Sequence, residues 1–134
     1  MKDWKEILND LYLPEIGSIW AAPNRIWINS FAANKKDSDF HPSVVGNVHH
    51  TKISCHLIPG TTKEYRKGLC VYKVKLNLSD DSCPPSFFLI DLWMTISKND
   101  LLKLKRGWNG VEILNEKQVY DLKMQIKFCQ GINV

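Results

Sequence analysis

The chain has 134 residues, 44% of them apolar and 24% charged, with a net charge of +4. That length suits a single domain on one core, and no apolar run reaches the roughly 20 residues of a membrane-spanning helix. A sequence pI near 8.9 falls short of a dedicated duplex-DNA binder and is compatible with an RNA ligand or an acidic protein partner. The first residues lack the basic start, apolar middle and small-residue cleavage site of a secretory leader, so a cytoplasmic protein is expected.

Residues 3–13 predict a helix. Trp4, Ile7, Leu8 and Leu11 recur at i, i+3, i+4 and i+7, Asp3 can cap it with Glu6 three residues on, and Pro14 ends it. Gly17–Ala22 and Arg25–Phe31 read as two strand segments broken by Pro23-Asn24 or as one long bent strand, and 32–39 as a polar loop. Ser43–Asn47 and Thr51–Ile58 are a strand pair, the second alternating Lys52, Ser54 and His56 with Ile53, Cys55 and Leu57. His49 and His50 fall in the turn between them, where solvation is a better expectation than metal binding, since no ligand spacing matches. Pro59-Gly60-Thr61-Thr62 reads as a tight turn, Leu69–Leu78 as an alternating strand and Asp80–Pro85 as a turn.

Phe87–Ile96 is long for one strand and is expected to bend near Asp91, with Ser97 or Asn99 capping a short helix after it. Val111–Leu114 predicts a last strand. Asn115–Gln130 predicts a helix with Asn115 as N-cap, Gln118 completing the cap, Val119, Leu122, Ile126 and Cys129 as apolar stripe, and Gly131 as stop. There is no repeat and no linker long enough to divide domains. Many short strands with few helices predict a mainly β fold with helices (α+β), a small, strongly bent barrel.

Cys55, Cys70, Cys83 and Cys129 form no CxxC pair and match no zinc spacing. A reducing compartment argues against a structural disulfide and for small buried hydrophobes. Of the five tryptophans, Trp20, Trp27, Trp93 and Trp108 are expected mostly in the core, with one or two left to stack on bases or hold a partner. The run Lys98–Arg106 reads as a solvated basic face with some scope for contacting an RNA backbone. Asp91 lies inside an apolar run, where an ionised carboxylate is costly unless paired. It is either structural, accepting hydrogen bonds where the strand bends, or functional, orienting a catalytic group.

Three segments, in order, resemble the MazF/PemK family of toxins from bacterial toxin–antitoxin pairs. Gly17-Ser18-Ile19-Trp20 resembles the family's opening strand. His41-Pro42-Ser43-Val44-Val45, leading into Leu57-Ile58-Pro59-Gly60-Thr61-Thr62, resembles its Arg-Pro strand start and the Pro-x-Thr-Thr turn that follows. Ile90-Asp91-Leu92-Trp93-Met94-Thr95-Ile96-Ser97-Lys98 resembles its Asp-Gln strand and short helix. The resemblance spans residues 17–130 and leaves 1–14 as a helical extension. It implies an SH3-like barrel shared with gyrase-poisoning toxins, and a homodimer whose groove holds single-stranded RNA. It implies a metal-independent and cofactor-free endoribonuclease blocked by an acidic antitoxin. His41 replaces the family's arginine, Leu92 its glutamine, and Leu89 stands where some members carry another arginine.

Metal-free RNA cleavage must deprotonate the 2′-hydroxyl, stabilise the phosphorane and protonate the leaving 5′-oxygen. Imidazole suits the proton transfers, so His41 is the candidate acid or base. Thr61 and Thr62 can offer hydroxyls and turn amides to a phosphate. Lys63, Arg66 or Arg25 can clamp it, with Asp91 as a further contact to RNA. Two other functions fit the same barrel: a non-catalytic nucleic-acid- or protein-binding module, and a gyrase-directed toxin.

Overall fold

The computed structural model describes residues 3–27, 39–64 and 67–131. Helix α1 (Trp4–Leu11) starts where expected, with the Glu6 amide donating to Asp3 Oδ1 at 2.8 Å. Its apolar stripe is largely unburied: Trp4, Leu8 and Leu11 are exposed and Ile7 is half-buried. The extension docks instead through Tyr12, whose ring meets Trp20 edge-on at 6.2 Å between centroids.

Seven strands then form one antiparallel sheet: β1 (Ile19–Pro23), β2 (Phe40–Val48), β3 (Ser54–Thr61), β4 (Val71–Val74), β5 (Ser86–Leu89), β6 (Met94–Ser97) and β7 (Lys105–Arg106). Their order is β4-β5-β3-β2-β1-β7, with β6 also paired to β3. β3 is the pivot. Ser54–Leu57 pair with β6 along one edge, and Gly60 and Thr61 then pair with Phe88 and Phe87 of β5. The mainly β architecture with a terminal helix matches the expectation from sequence.

Two cores form on opposite faces. Ile19, Val44, Ile58, Phe88 and Ile90 lie under the C-terminal helix α3 (Glu116–Gln130), which contributes Leu122. Trp20, Ala22, Val45, Leu57, Ile96 and Leu101 fill the other. β1 is buried throughout, and so are Pro42–Gly46 of β2, which is why these strands read as apolar runs rather than as alternation. A register shift at Val45/Asn47 brackets Gly46. A side chain there would collide with Ile58, and with Ile126 of α3 at 3.1 Å, so the bare backbone lets helix and strand meet.

Several expected boundaries move. Asn24–Ile26 is a 3-10 turn rather than the start of a strand, and 28–31 lie outside the described residues with most of the predicted loop. Pro59, Gly60 and Thr61 are not a turn. They close β3, because the edge of β5 continues the pairing past the end of β6. The predicted strand Leu69–Leu78 shrinks to Val71–Val74, and Val111–Leu114 makes only isolated bridges.

The Phe87–Ile96 run does bend at Asp91, through a 3-10 turn over Ile90–Leu92 between β5 and β6. That turn puts Asp91 in solvent, so the burial cost inferred from its apolar neighbours does not arise. Ser97 caps the short helix α2 (Lys98–Leu101), accepting from the Asp100 amide at 3.1 Å. In α3 the Asn115–Gln118 capping box forms in both directions, and Gly131 takes the left-handed conformation at its end. Cys70 and Cys129 are joined in a disulfide, a correction to the expectation of free thiols; Cys55 and Cys83 are free and buried.

Candidate nucleic-acid interface

β7 lies antiparallel along β1, with Trp20 opposite Arg106 and Ala21 opposite Lys105. Two grooves run beside this pair. One, of about 540 Å³, is lined by Arg25, Phe40, Met94, Ile96, Lys103 and Lys105 among others. The second, of about 580 Å³, is lined by Lys105, Arg106, Trp108 and Glu112 among others. They share Ala21, Phe40 and Lys105, so they form one trough across the β1–β7 edge. Arg25, Lys103, Lys105 and Arg106 supply its positive charge against Asp100 and Glu112. Asp100 already pairs with Lys103 at 3.3 Å.

Arg106 is fixed twice. Its guanidinium lies 4.9 Å from the centroid of the Trp20 ring, and its Nε donates to the Glu112 carbonyl at 3.1 Å. Trp20 is held in turn by its Nε1 donating to Ser18 Oγ at 3.0 Å. Phe40, half exposed, offers an aromatic face at the junction of the grooves. Fixed cations beside an exposed ring are what a single-stranded nucleic acid needs, charge for its backbone and a π-face for a base.

The residues singled out in the sequence fall in three places. Arg25 lines the trough, in the 3-10 turn after β1. His41, half-buried, is the second residue of β2 and lies opposite Ala22 of β1. The β2–β3 pairing starts at Ser43↔Pro59, two residues short of His41 on one strand and of Thr61 on the other. The close approach of Pro42 O to the position a Gly60 Cβ would occupy, 3.0 Å, fits that register. Thr61 is 3% exposed and its hydroxyl accepts from the Lys63 amide at 3.2 Å. Thr62 and Lys63 follow it into solvent.

Asp91 stands past the opposite end of β5 from Phe87, the residue that pairs with Thr61. Arg66 lies outside the described residues. Sequence reasoning did not single out Phe40 or Met94, and read Lys98–Arg106 as a solvated basic face with some scope for contacting an RNA backbone; Lys103 and Lys105 are exposed. The usable signal was the density of basic residues directly after α2.

A smaller cleft, about 40 Å³, opens on the α3 side between Asn47, His56, Ile58, Ile90, Trp93, Ile126 and Gln130. His56 and Trp93 stack there, centroids 4.0 Å apart and planes 17° from parallel. Burial pulls the His56 imidazole below its ordinary value. For a histidine with a depressed folded pKa, the stabilisation is complete above the unfolded value and is lost as pH falls through the folded one. Thermal melts taken from about pH 7.5 down to about pH 5 should therefore show stability declining below about pH 6.5, and His56→Phe should flatten that limb. An identical slope in the variant would mean His56 plays no part.

No protein-family model matches the sequence, and no curated protein matches it. The fold is similar to solved structures. Over 91% of this chain and 99% of the other, it superposes with TM-score 0.51 and 11% identity on a chain of the MazE–MazF complex from Deinococcus radiodurans, in one crystal form. In another crystal form of that complex the TM-score is 0.50 and the identity 12%, over 91% of this chain and all of the other. Such identities speak for the fold alone. With the seven-stranded antiparallel sheet and the C-terminal helix laid across it, they give this chain a MazF-like fold.

Proposed function

We propose that this chain is a toxin-type endoribonuclease: a metal-independent, cofactor-free enzyme of the cytoplasm that cleaves single-stranded RNA as a homodimer and is restrained by an acidic antitoxin. The observation that carries the reading is a juxtaposition. On a MazF-like fold, β2 opens with Phe40, which lines the basic, aromatic trough, and His41, while the neighbouring strand β3 closes at Thr61.

In this reading the trough holds the RNA backbone through Lys103, Lys105 and Arg106 while Phe40 stacks on a base. His41 takes the 2′-hydroxyl proton. The exposed Thr62, with Lys63 or Arg25, meets the charge on the phosphorane. Thr61 is too buried to touch substrate directly. Its hydroxyl instead fixes the Lys63 amide and so positions the turn. An acidic antitoxin segment would compete for the same cations.

The test is purified protein with long single-stranded RNA in EDTA. Cleavage is expected, and an RNA with a 2′-deoxy substitution at the scissile nucleotide should survive, because the attacking group is gone. Binding without any cleavage would favour the non-catalytic module instead. A charge reversal, Lys105→Glu, should weaken RNA binding and lower the salt slope of log Kd by about one or two phosphate contacts. Unchanged affinity and slope would remove the trough from the proposal.

A further inference from the structure

The C-terminal helix is anchored unevenly. Its first half is tied by the capping box, by the Tyr72 hydroxyl donating to the Gln118 carbonyl at 3.1 Å, and by Gln118 Nε2 donating to the Lys75 carbonyl at 3.1 Å. Gln118 and Leu122 are its buried residues, and both lie in that half. From Lys123 to Gln130 no side chain is fully buried. This second half touches the sheet through Ile126 on Gly46, through Gln125 Nε2 donating to the Leu69 carbonyl at 2.6 Å, and through the Cys70–Cys129 disulfide. The cross-link joins the segment entering β4 to the last turn of α3 across 59 residues of sequence. Both of its cysteines are half-buried, whereas Cys55 and Cys83 are buried. The disulfide, partly accessible to solvent, therefore sits on the more weakly held half of the helix.

We infer that the Cys70–Cys129 disulfide is a redox-operated clamp, opened by a dithiol reductant, that frees the last turns of α3 from β4 and uncovers the cleft between α3 and the stacked His56 and Trp93. A thiolate of the reductant attacks one sulfur of the pair and forms a mixed disulfide, and its second thiol resolves it. Two electrons and two protons pass to the protein, Cys70 and Cys129 become thiols, and the reductant leaves as its own disulfide. With the cross-link open, the turns carrying Ile126 and Gln130, which wall the cleft over Ile58 and Ile90, keep the Gln125–Leu69 hydrogen bond and the partly buried packing of Ile126 on the core. Local opening is drawn from such thinly packed segments. Residues 116–122 keep their own anchors and stay docked.

The experiment is amide hydrogen exchange on the full chain, oxidised, then reduced with dithiothreitol, then reoxidised, beside a thiol titration in denaturant. Oxidised protein should titrate two thiols and reduced protein four, as the free and bridged cysteines require. Exchange over 123–131 should rise by about tenfold or more on reduction, while 116–122 changes by less than about twofold, and should revert on reoxidation. The variant Cys129→Ser should behave as the reduced form without reductant. Four thiols before reduction, no change over 123–131, or an equal rise along the whole helix would each overturn the clamp. The last result would mark the disulfide as a brace of the entire fold.

Discussion

Phe88→Ala should cost about 3–5 kcal/mol of folding stability, within the range for deleting a buried aromatic ring. Phe88 is 0% exposed, in the middle of β5, and its ring packs near Tyr72 with centroids 6.5 Å apart. The site cannot collapse to fill the gap, because the ring covers backbone. A Cβ at Gly60 would stand 2.7 Å from Phe88 Cε1 and 2.8 Å from Cδ1. Gly60 is where β3 changes partner, so the void would open at the pivot of the sheet. Domains of this size hold only about 5–15 kcal/mol in all, and a loss of this size takes a large share of it. Urea unfolding of Phe88→Ala beside Phe128→Ala decides the point. Phe128 is 50% exposed on α3, and its truncation should cost well under about 1 kcal/mol. Similar costs at the two positions would refute this account of the core. Gly60→Ala should fail in the same direction, since a methyl there must displace a ring that has nowhere to go.

The same pivot explains what could be read from the sequence and what could not. The helix over Asn115–Gln130 was legible in full because its determinants are local: a cap at each end and a stripe at helical spacing. The bend at Asp91 was legible too, since ten residues exceed a usual strand. Its chemistry was not. A carboxylate among apolar neighbours in sequence reads as buried, yet a 3-10 turn of three residues rotates it into solvent. Pro59-Gly60-Thr61 carries turn residues and forms a strand, because the pairing that extends it comes from Phe87 and Phe88, far along the chain. The disulfide was illegible for the same reason. The stripe of α3 put Cys129 on the helix's inner face, but which cysteine it would meet depends on where β4 enters the sheet. At the candidate site, His41 and Thr61 were nominated by resemblance, and each lies two residues beyond the Ser43↔Pro59 pair at which the β2–β3 ladder starts. The trough needed the unpredictable pairing of the two-residue strand β7 with β1, which gathers Lys105 and Arg106 beside Phe40.

His41→Ala should lower RNA cleavage by about 10²–10⁴-fold, the usual worth of a positioned acid or base, while RNA binding changes little. The separation follows from the geometry. His41 is half-buried opposite Ala22 of β1 and is not among the residues lining the trough, whereas Lys103, Lys105 and Arg106 are. Removing the imidazole removes proton transfer and leaves the backbone contacts in place, so the loss should fall on kcat rather than on Kd. His41→Arg, which restores the residue of the resembling family, is the sharper variant. Arginine is a better phosphate clamp and a poorer base at neutral pH. It should tighten RNA binding, and the rate should lose the limb of its pH profile that lies where imidazole titrates. Thr62→Ala should reduce the rate without altering that limb, since a hydroxyl or amide contact to the phosphorane does not titrate there. If His41→Ala cleaves at the wild-type rate, proton transfer belongs to another group and the proposed chemistry fails, though the trough and its salt dependence would stand. If cleavage is absent from wild type and variants alike while Lys105→Glu still weakens binding, the domain is a binding module.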